Sequence, residues 1–225
     1  MLRKILPLVL ALSACPEPVI GGGTGGGGDA NGGGSGGAGG GSGGGDETFA
    51  ASAKGNVRFK RSVRLTLDYA NALSLPADQL CKELGQYPCA LVHIVSLGGT
   101  DPYGVGLYEP LPFTGMASPV VVERLALSAC TLRTSTDLAA GSSAVIWKGV
   151  VPDGAGKVDV ESAAAHDALV ELYHRVMLRE PTAAELDHLK QLYRDIDASA
   201  KPQPGQSWMT LSCFAVLTSV EALFY

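Results

Sequence analysis

The fold is decided by residues 161–196, which read ESAAAHDALVELYHRVMLREPTAAELDHLKQLYRDI. Apolar residues recur at helical spacing before Pro181, so the sequence predicts a helix over 161–179 that the proline ends. Its inner face is expected to carry Ala165, Leu169, Leu172, Tyr173 and Val176. Thr182 and Glu185 then form the Thr-x-x-Glu pattern of a capping box, which predicts a second helix. The inner face of that helix is expected to carry Leu186, Leu189, Tyr193 and Ile196.

Further helices are predicted around this hairpin, within a single, mainly α-helical domain over residues 54–225. They are a helix capped by Ser62 with Val63, Leu67 and Ala70 on one face, a short helix over 77–84, a helix over 120–138 and a helix over 208–225. One short strand pair is expected as well, and residues 143–151 are a strand candidate because glycine and proline flank them. The last helix is apolar around most of its circumference, and at about 27 Å it could cross a membrane. Ser212, Ser219 and Glu221 favour a buried core helix instead.

A long loop over residues 97–119 is rich in glycine and proline, which excludes regular structure. Loops of this length in compact domains are commonly functional. Its aromatic residues predict that the loop packs on the domain. The loop is also the best candidate for a contact surface, and the candidate residues are Asp101, Tyr103, Tyr108, Glu109 and Phe113. The alternative is a loop that only covers one face of the core.

The N-terminus predicts export. Arg3 and Lys4 precede an apolar stretch over residues 5–12, which is too short to span a bilayer, since a span takes about 20 residues. The run Leu12-Ser13-Ala14-Cys15 resembles the lipobox of bacterial lipoproteins, in which the cysteine thiol accepts diacylglycerol and becomes the mature N-terminus. A plain secretory signal is the alternative.

The lipobox resemblance implies a signal peptide over residues 1–14 and a lipid anchor at Cys15. Two or three acyl chains hold a protein to a membrane stably. The implied location is the cell envelope, on the periplasmic or surface face. Pro16 rather than Asp follows the cysteine, which favours the outer membrane slightly.

Residues 15–53 predict a disordered Gly/Ser-rich tether. Eighteen of the 25 residues over 21–45 are glycine. Such chains are flexible coils, and about 35 residues reach roughly 30–35 Å. The tether either lets a folded domain search for a partner or serves as a passive spacer.

Four cysteines follow Cys15, and an exported domain favours disulfides between them. Cys81 and Cys89 are expected to pair, because Gly85 and Pro88 can turn the chain between them. Cys130 and Cys213 are then expected to form the second bridge. The alternatives are two free buried thiols at the second pair, or a cysteine-based metal site, although the spacings match no zinc pattern.

No catalytic or cofactor motif emerges from the sequence. The runs Glu171–His174 and Glu185–His188 both read Glu-x-x-His, the His-bearing half of a ferritin-like di-iron site. Helical spacing places Glu171 and His174 roughly 150° from the inner stripe, so solvated side chains are expected rather than a metal. Outside the glycine tract over 21–45, the sequence has no Gly-x-Ser-x-Gly pattern of a nucleophile elbow. The net charge of −5 argues against nucleic-acid binding.

The C-terminal residues carry a second resemblance. The pattern consists of Arg179, Pro181, Thr182, Glu185, Leu189, Ser219, Glu221, Leu223, Phe224 and Tyr225. It resembles the uncharacterised helical domains of planctomycete-type cytochrome c envelope proteins over about 60 residues. The resemblance implies a helical fold in an envelope setting, but the Cys-x-x-Cys-His run that covalent haem requires is missing from the sequence. The turn also resembles that of helical linker repeats, which are scaffolding modules.

The leading hypothesis is a lipid-anchored cell-envelope protein that acts as a non-catalytic binding or scaffolding module. Its expected partners are the membrane, through the N-terminal lipid, and an envelope protein or glycan. A haem-less accessory subunit of an envelope cytochrome or redox system is the alternative. A hydrolase without a visible motif is the third reading.

Overall fold

Seven α-helices and one two-stranded sheet form the fold over residues 58–110 and 117–225, the part of the chain that the computed structural model describes. The helices are α1 (Ser62–Leu73), α2 (Cys89–Val92), α3 (Ala117–Ala140), α4 (Ala163–Met177), α5 (Ala183–Ala198), α6 (Pro204–Leu217) and α7 (Val220–Leu223). The sheet pairs β1 (Lys82–Glu83) with β2 (Tyr87–Pro88) in antiparallel register. The prediction of a mainly α fold is confirmed. The predicted signal peptide, Cys15, the tether over 15–53 and Phe113 lie outside the described residues.

The stretch that decides the fold forms the two predicted helices. The Ser162 hydroxyl accepts the Ala165 N–H and so caps α4, and Thr182 and Glu185 form the complete capping box that starts α5. The inner residues of α4 are buried as predicted except for Val176, which is half-buried. On α5, Leu189 and Tyr193 are buried.

Helix α6 lies at the centre of the core rather than covering a hairpin from outside. It packs against α3, α4 and α5, while α4 packs on α1. Trp208 of α6 is fully buried, donates its indole N–H to the Leu189 carbonyl at 2.8 Å and lies 5.5 Å from the ring of Trp147. These aromatic contacts, together with the Cys130–Cys213 bridge to α3, fix α6 in the interior.

The prediction for the inner face of α1 is wrong for two of its three residues, and Ala70 is buried as predicted. Val63 and Leu67 are 67% and 48% exposed, whereas Leu65, Tyr69 and Leu73 are buried. Those three residues lie one turn apart and face the core, because four residues span slightly more than one helical turn. The Tyr69 hydroxyl donates to the Leu217 carbonyl at 2.7 Å, which ties this face to α6.

Residues 77–84 were predicted to be helical and are not. They form a turn that leads into β1, since β1–β2 pairing and the Cys81–Cys89 bridge hold the chain as a hairpin. Gly85 lies in the hairpin turn with a φ of +73°, a conformation that favours glycine.

The strand prediction for residues 143–151 is also wrong, and one side chain explains why. After a 3₁₀ turn at Gly141–Ser143, the chain curls around the Asp137 carboxylate. That carboxylate accepts the N–H groups of Val145, Ile146 and Trp147 at 2.7, 2.9 and 3.0 Å. Three successive N–H groups cannot reach one acceptor from a strand, because successive N–H groups of a strand point in opposite directions.

The last predicted helix is divided in two. Helix α6 begins at Pro204, where the missing N–H of proline costs nothing, and it ends at Leu217. Ser219 accepts the Ala222 N–H and starts α7 as a separate helix. Of the helices within 58–110 and 117–225, none is long and apolar enough to cross a membrane.

Candidate contact surface

The predicted contact loop closes on itself through Asp101. The Asp101 carboxylate accepts the Gly104 N–H at 2.8 Å, and its main-chain carbonyl accepts the N–H groups of Val105 and Leu107 at 3.3 and 3.0 Å. Asp101 and Leu107 form an isolated β-bridge. Asp101 therefore shapes the loop, and both its carboxylate and its main-chain carbonyl accept hydrogen bonds from within the loop.

The tyrosines of this loop face solvent, contrary to the prediction that they pack on the domain. Tyr103 has an exposed fraction of 101% and Tyr108 one of 76%. Val105 between them is exposed, and so is Glu109. A loop that only covers the core buries its aromatic residues, so this arrangement favours the contact surface over the covering loop.

A second exposed apolar group lies on the β1–β2 hairpin and α2. Its members are Leu84, Tyr87, Leu91 and Val92. Leu84 lies in the hairpin turn with a φ of +50°, a conformation that is unfavourable for leucine, and its side chain is 89% exposed. Groups of exposed apolar side chains are typical of interaction sites.

The hairpin is braced from both sides. The Cys81–Cys89 bridge joins its two strands with a Cα separation of 5.4 Å. Its Glu83 carboxylate accepts from Arg124 of α3 at 2.6 Å and lies 2.9 Å from the His93 ring nitrogen. A rigid support of this kind lowers the entropy that a contact surface loses on binding. Sequence reasoning missed this group; the close spacing of two cysteines around Leu84 and Gly85 was the signal that could have found it.

An open groove of about 630 Å³ separates the hairpin from α3. Its lining includes Gln79, Lys82, Arg124, Leu127 and Thr131.

The cysteines pair in the way the sequence favoured. Cys81 lies at disulfide distance from Cys89, and Cys130 from Cys213, with Cα separations of 5.4 and 5.7 Å. One group of three metal-ligating side chains within 4.8 Å of one another occurs in the described part of the chain, and it consists of Cys81, Glu83 and Cys89. Both sulfurs of that group are engaged in the disulfide, which leaves no thiolate for a metal.

Three of the four Glu-x-x-His residues are held by separate partners. Glu171 accepts from Arg175 at 2.5 Å, and His174 lies 3.0 Å from a Glu180 oxygen. Glu185 is bound by Arg179, and His188 is exposed. Within residues 58–110 and 117–225 the two runs do not assemble into one cluster of ligands.

Arg179 is the centre of the C-terminal motif. Its guanidinium donates to both oxygens of Glu185 at 2.7 and 3.0 Å and to both oxygens of Glu221 at 2.7 and 2.9 Å. The guanidinium also lies 5.4 Å from the centre of the Tyr173 ring. The end of α4 is thereby joined to the starts of α5 and α7. Arg179 lowers the pKa of Glu185 to about 2 and lowers the pKa of Glu221 as well.

The remaining motif residues secure the C-terminus. Ser219 caps α7, and the Phe224 ring meets Phe59 edge-on at 5.7 Å. The main chains of Arg58 and Tyr225 exchange two hydrogen bonds of 2.9 and 3.0 Å. The residues that carry the cytochrome-associated resemblance therefore stabilise the fold, and their contacts do not by themselves indicate a redox role.

Comparison of the chain with protein-family models, with curated proteins and with solved structures gives no match in any of the three. The function is therefore inferred from the residues and contacts described above.

Proposed function

We propose that this chain is a lipid-anchored cell-envelope protein whose helical domain is a non-catalytic binding module. Its ligand is an envelope protein or a glycan, and its contact surface is the loop over residues 101–110, with the exposed apolar group of the β1–β2 hairpin and α2 as a second contact surface. The observation that carries the proposal is the full exposure of Tyr103 and the high exposure of Tyr108 on a loop that Asp101 closes.

The proposed location is supported by the sequence of the first 15 residues, which resembles a lipoprotein signal ending in Cys15. Two cysteine pairs at disulfide distance fit an oxidising compartment. Mutating Cys15→Ala should release the protein from isolated membranes. Retention of this variant on membranes would contradict the lipid anchor.

The proposed contact is supported by the chemistry of tyrosine. A tyrosine offers a large, stiff apolar ring with a polar end, and for that reason it is enriched in interfaces. Solvent-exposed rings also stack on sugar faces, so the same surface suits a glycan. Braced loops bind with a smaller loss of entropy than mobile ones.

Site-specific photo-cross-linking in the native host tests this contact. A photoreactive phenylalanine analogue replaces Tyr103 in one strain and Tyr108 in another. The matched control carries the analogue at Tyr225, which is 67% exposed and lies in the C-terminal tail. The proposal predicts a discrete adduct from each loop position and none from the control.

The identity of the adduct separates the candidate functions. A structural envelope protein or a glycan supports the binding module, whereas a cytochrome supports the accessory-subunit alternative. The double variant Tyr103→Ser/Tyr108→Ser should no longer copurify with the cross-linked partner, while Tyr225→Ser should. Equal adducts at all three positions, or none at the loop, would overturn the contact surface.

A further inference from the structure

The outer face of α1 is exposed and carries both apolar and basic residues. Val63 and Leu67 lie one turn apart on this face, and Arg64 lies between them. Arg58 and Arg61 precede the helix and are exposed as well. We call these five residues, Arg58, Arg61, Val63, Arg64 and Leu67, the basic face.

The orientation of the basic face is fixed by the core. Leu65, Tyr69 and Leu73 on the opposite side of α1 are buried, and the Tyr69 hydroxyl is bonded to α6. The helix cannot roll to bury Val63 and Leu67 without exposing those three residues. Two aliphatic side chains are thus held in solvent beside arginines.

The charge of this region is opposite to that of the chain as a whole. Residues 54–64 read KGNVRFKRSVR, with five basic residues and no acidic one, in a chain of net charge −5. Asp68 pairs with Lys60 at 3.1 Å and with Arg64 at 2.9 Å. Within the part of the chain that the structure describes, Arg58 and Arg61 have no carboxylate within 4.0 Å, so the face retains a positive charge.

The basic face lies where the chain joins the domain. Arg58 is fixed in place by its main-chain pairing with Tyr225, and Phe59 by its contact with Phe224. Everything that precedes Arg58, including Cys15, therefore leads to this end of α1. The basic face thus lies beside the point at which the chain from the proposed anchor meets the domain.

We propose that the basic face binds the anionic headgroup surface of a phospholipid bilayer. The arginines pair with lipid phosphates, and Val63 and Leu67 contact the boundary between headgroups and acyl chains. Basic residues with apolar neighbours on one helix face are typical of binding to the membrane interface. This inference rests on the proposed lipid anchor, and it adds that the domain lies against the membrane instead of standing off from it.

Hydroxyl-radical footprinting of the full chain in vesicles tests the inference. One set of vesicles contains phosphatidylglycerol mixed with phosphatidylcholine, and the other contains phosphatidylcholine alone. Labelling of Val63 and Leu67 should fall at least about fivefold in the anionic vesicles relative to the neutral ones. Val151 and Leu178, which are 78% and 88% exposed, report on the same sample and should not change.

Charge variants identify the residues responsible. In Arg58→Gln/Arg61→Gln/Arg64→Gln the protection should disappear, since each basic residue near an anionic surface contributes about a fivefold change in binding and three contribute on the order of a hundredfold. The matched control variant removes three lysines elsewhere, at Lys148, Lys157 and Lys201, whose side chains reach solvent. The net charge of this lysine variant equals that of the arginine variant, and Val63 and Leu67 should remain protected in it. Raising the salt concentration on the unmodified protein should also remove the protection, which provides a test without substitutions.

The outcomes separate this inference from the anchor itself. Flotation with both kinds of vesicle but equal labelling of Val63 and Leu67 would leave the anchor intact and overturn the basic face. Failure to float with neutral vesicles would count against the anchor alone. Protection of Val63 and Leu67 that depends on protein concentration in vesicle-free buffer would assign the face to a second copy of the chain. A loss of protection in the lysine variant equal to that in the arginine variant would show a nonspecific charge effect. Either result would overturn the lipid assignment.

Discussion

The two disulfides should differ in what they contribute to stability. The Cys130–Cys213 bridge closes a separation of 83 residues and Cys81–Cys89 one of 8. In the chain-entropy treatment of cross-links these loops correspond to about 4.5 and about 2.5 kcal/mol of unfolding free energy. All four cysteines are buried, so the loss of sulfur packing largely cancels when the two pairs are compared.

Double alanine variants of each pair measure the difference. Trp147 and Trp208 are buried, so their fluorescence follows unfolding in urea. The Cys130→Ala/Cys213→Ala variant should lose about 2 kcal/mol more than Cys81→Ala/Cys89→Ala. Equal losses of unfolding free energy, or a larger loss from the short loop, would show that loop length does not set the contribution of these bridges.

Three further predictions concern single residues. The pKa of Glu185 is about 2 in the folded protein against 4.5 for an ordinary glutamate. The Arg179 pairing therefore stabilises the fold fully above about pH 4.5, and this stability is lost as the pH falls toward 2. Urea midpoints measured across that range should fall with pH, and Glu185→Gln should reduce this pH dependence. Asp137→Asn leaves the buried Arg133 guanidinium without its charge partner and should cost about 3–5 kcal/mol in urea unfolding, and a loss under about 1 kcal/mol would contradict this role. Leu178→Gly should raise stability by about 0.5–1 kcal/mol, because Leu178 is exposed and has a φ of +57°, and a lower melting temperature would count against that explanation.

Most of the helical scaffold was predictable from local signals. The Thr182–Glu185 capping box and the stop at Pro181 are set by neighbouring residues, so the sequence alone located the junction of α4 and α5. Helix α3 was predicted to begin at Val120 and begins at Ala117, because Pro119 fits within the first turn of a helix.

The failures arise where a distant partner decides the local structure. The Asp137 carboxylate accepts the N–H groups of Val145, Ile146 and Trp147. The sequence of residues 143–151 itself does not indicate this acceptor. The Cys81–Cys89 bridge and the pairing of β1 with β2 similarly outweigh the helical signal of residues 77–84. Intrinsic helix propensity predicts local structure poorly where tertiary contacts favour another conformation.

The candidate contact surface was predictable in part. Glycine and proline spacing located the loop, but the exposure of Tyr103 and Tyr108 depends on how the loop closes at Asp101. The outward orientation of Val63 and Leu67 was not predictable either. An apolar residue on a helix is expected to face inward, and here Leu65 and Tyr69 occupy the inward face.

Export, processing and lipidation at Cys15 underlie both the proposed function and the proposed membrane contact. Intact-mass measurement of the non-reduced protein, purified from the native envelope, tests them together. The expected chain begins at Cys15, carries the added mass of a diacylglyceryl group and its acyl chains, and has four hydrogens fewer than the reduced form. A chain without lipid mass that begins elsewhere, or one with four free thiols, would contradict this expectation.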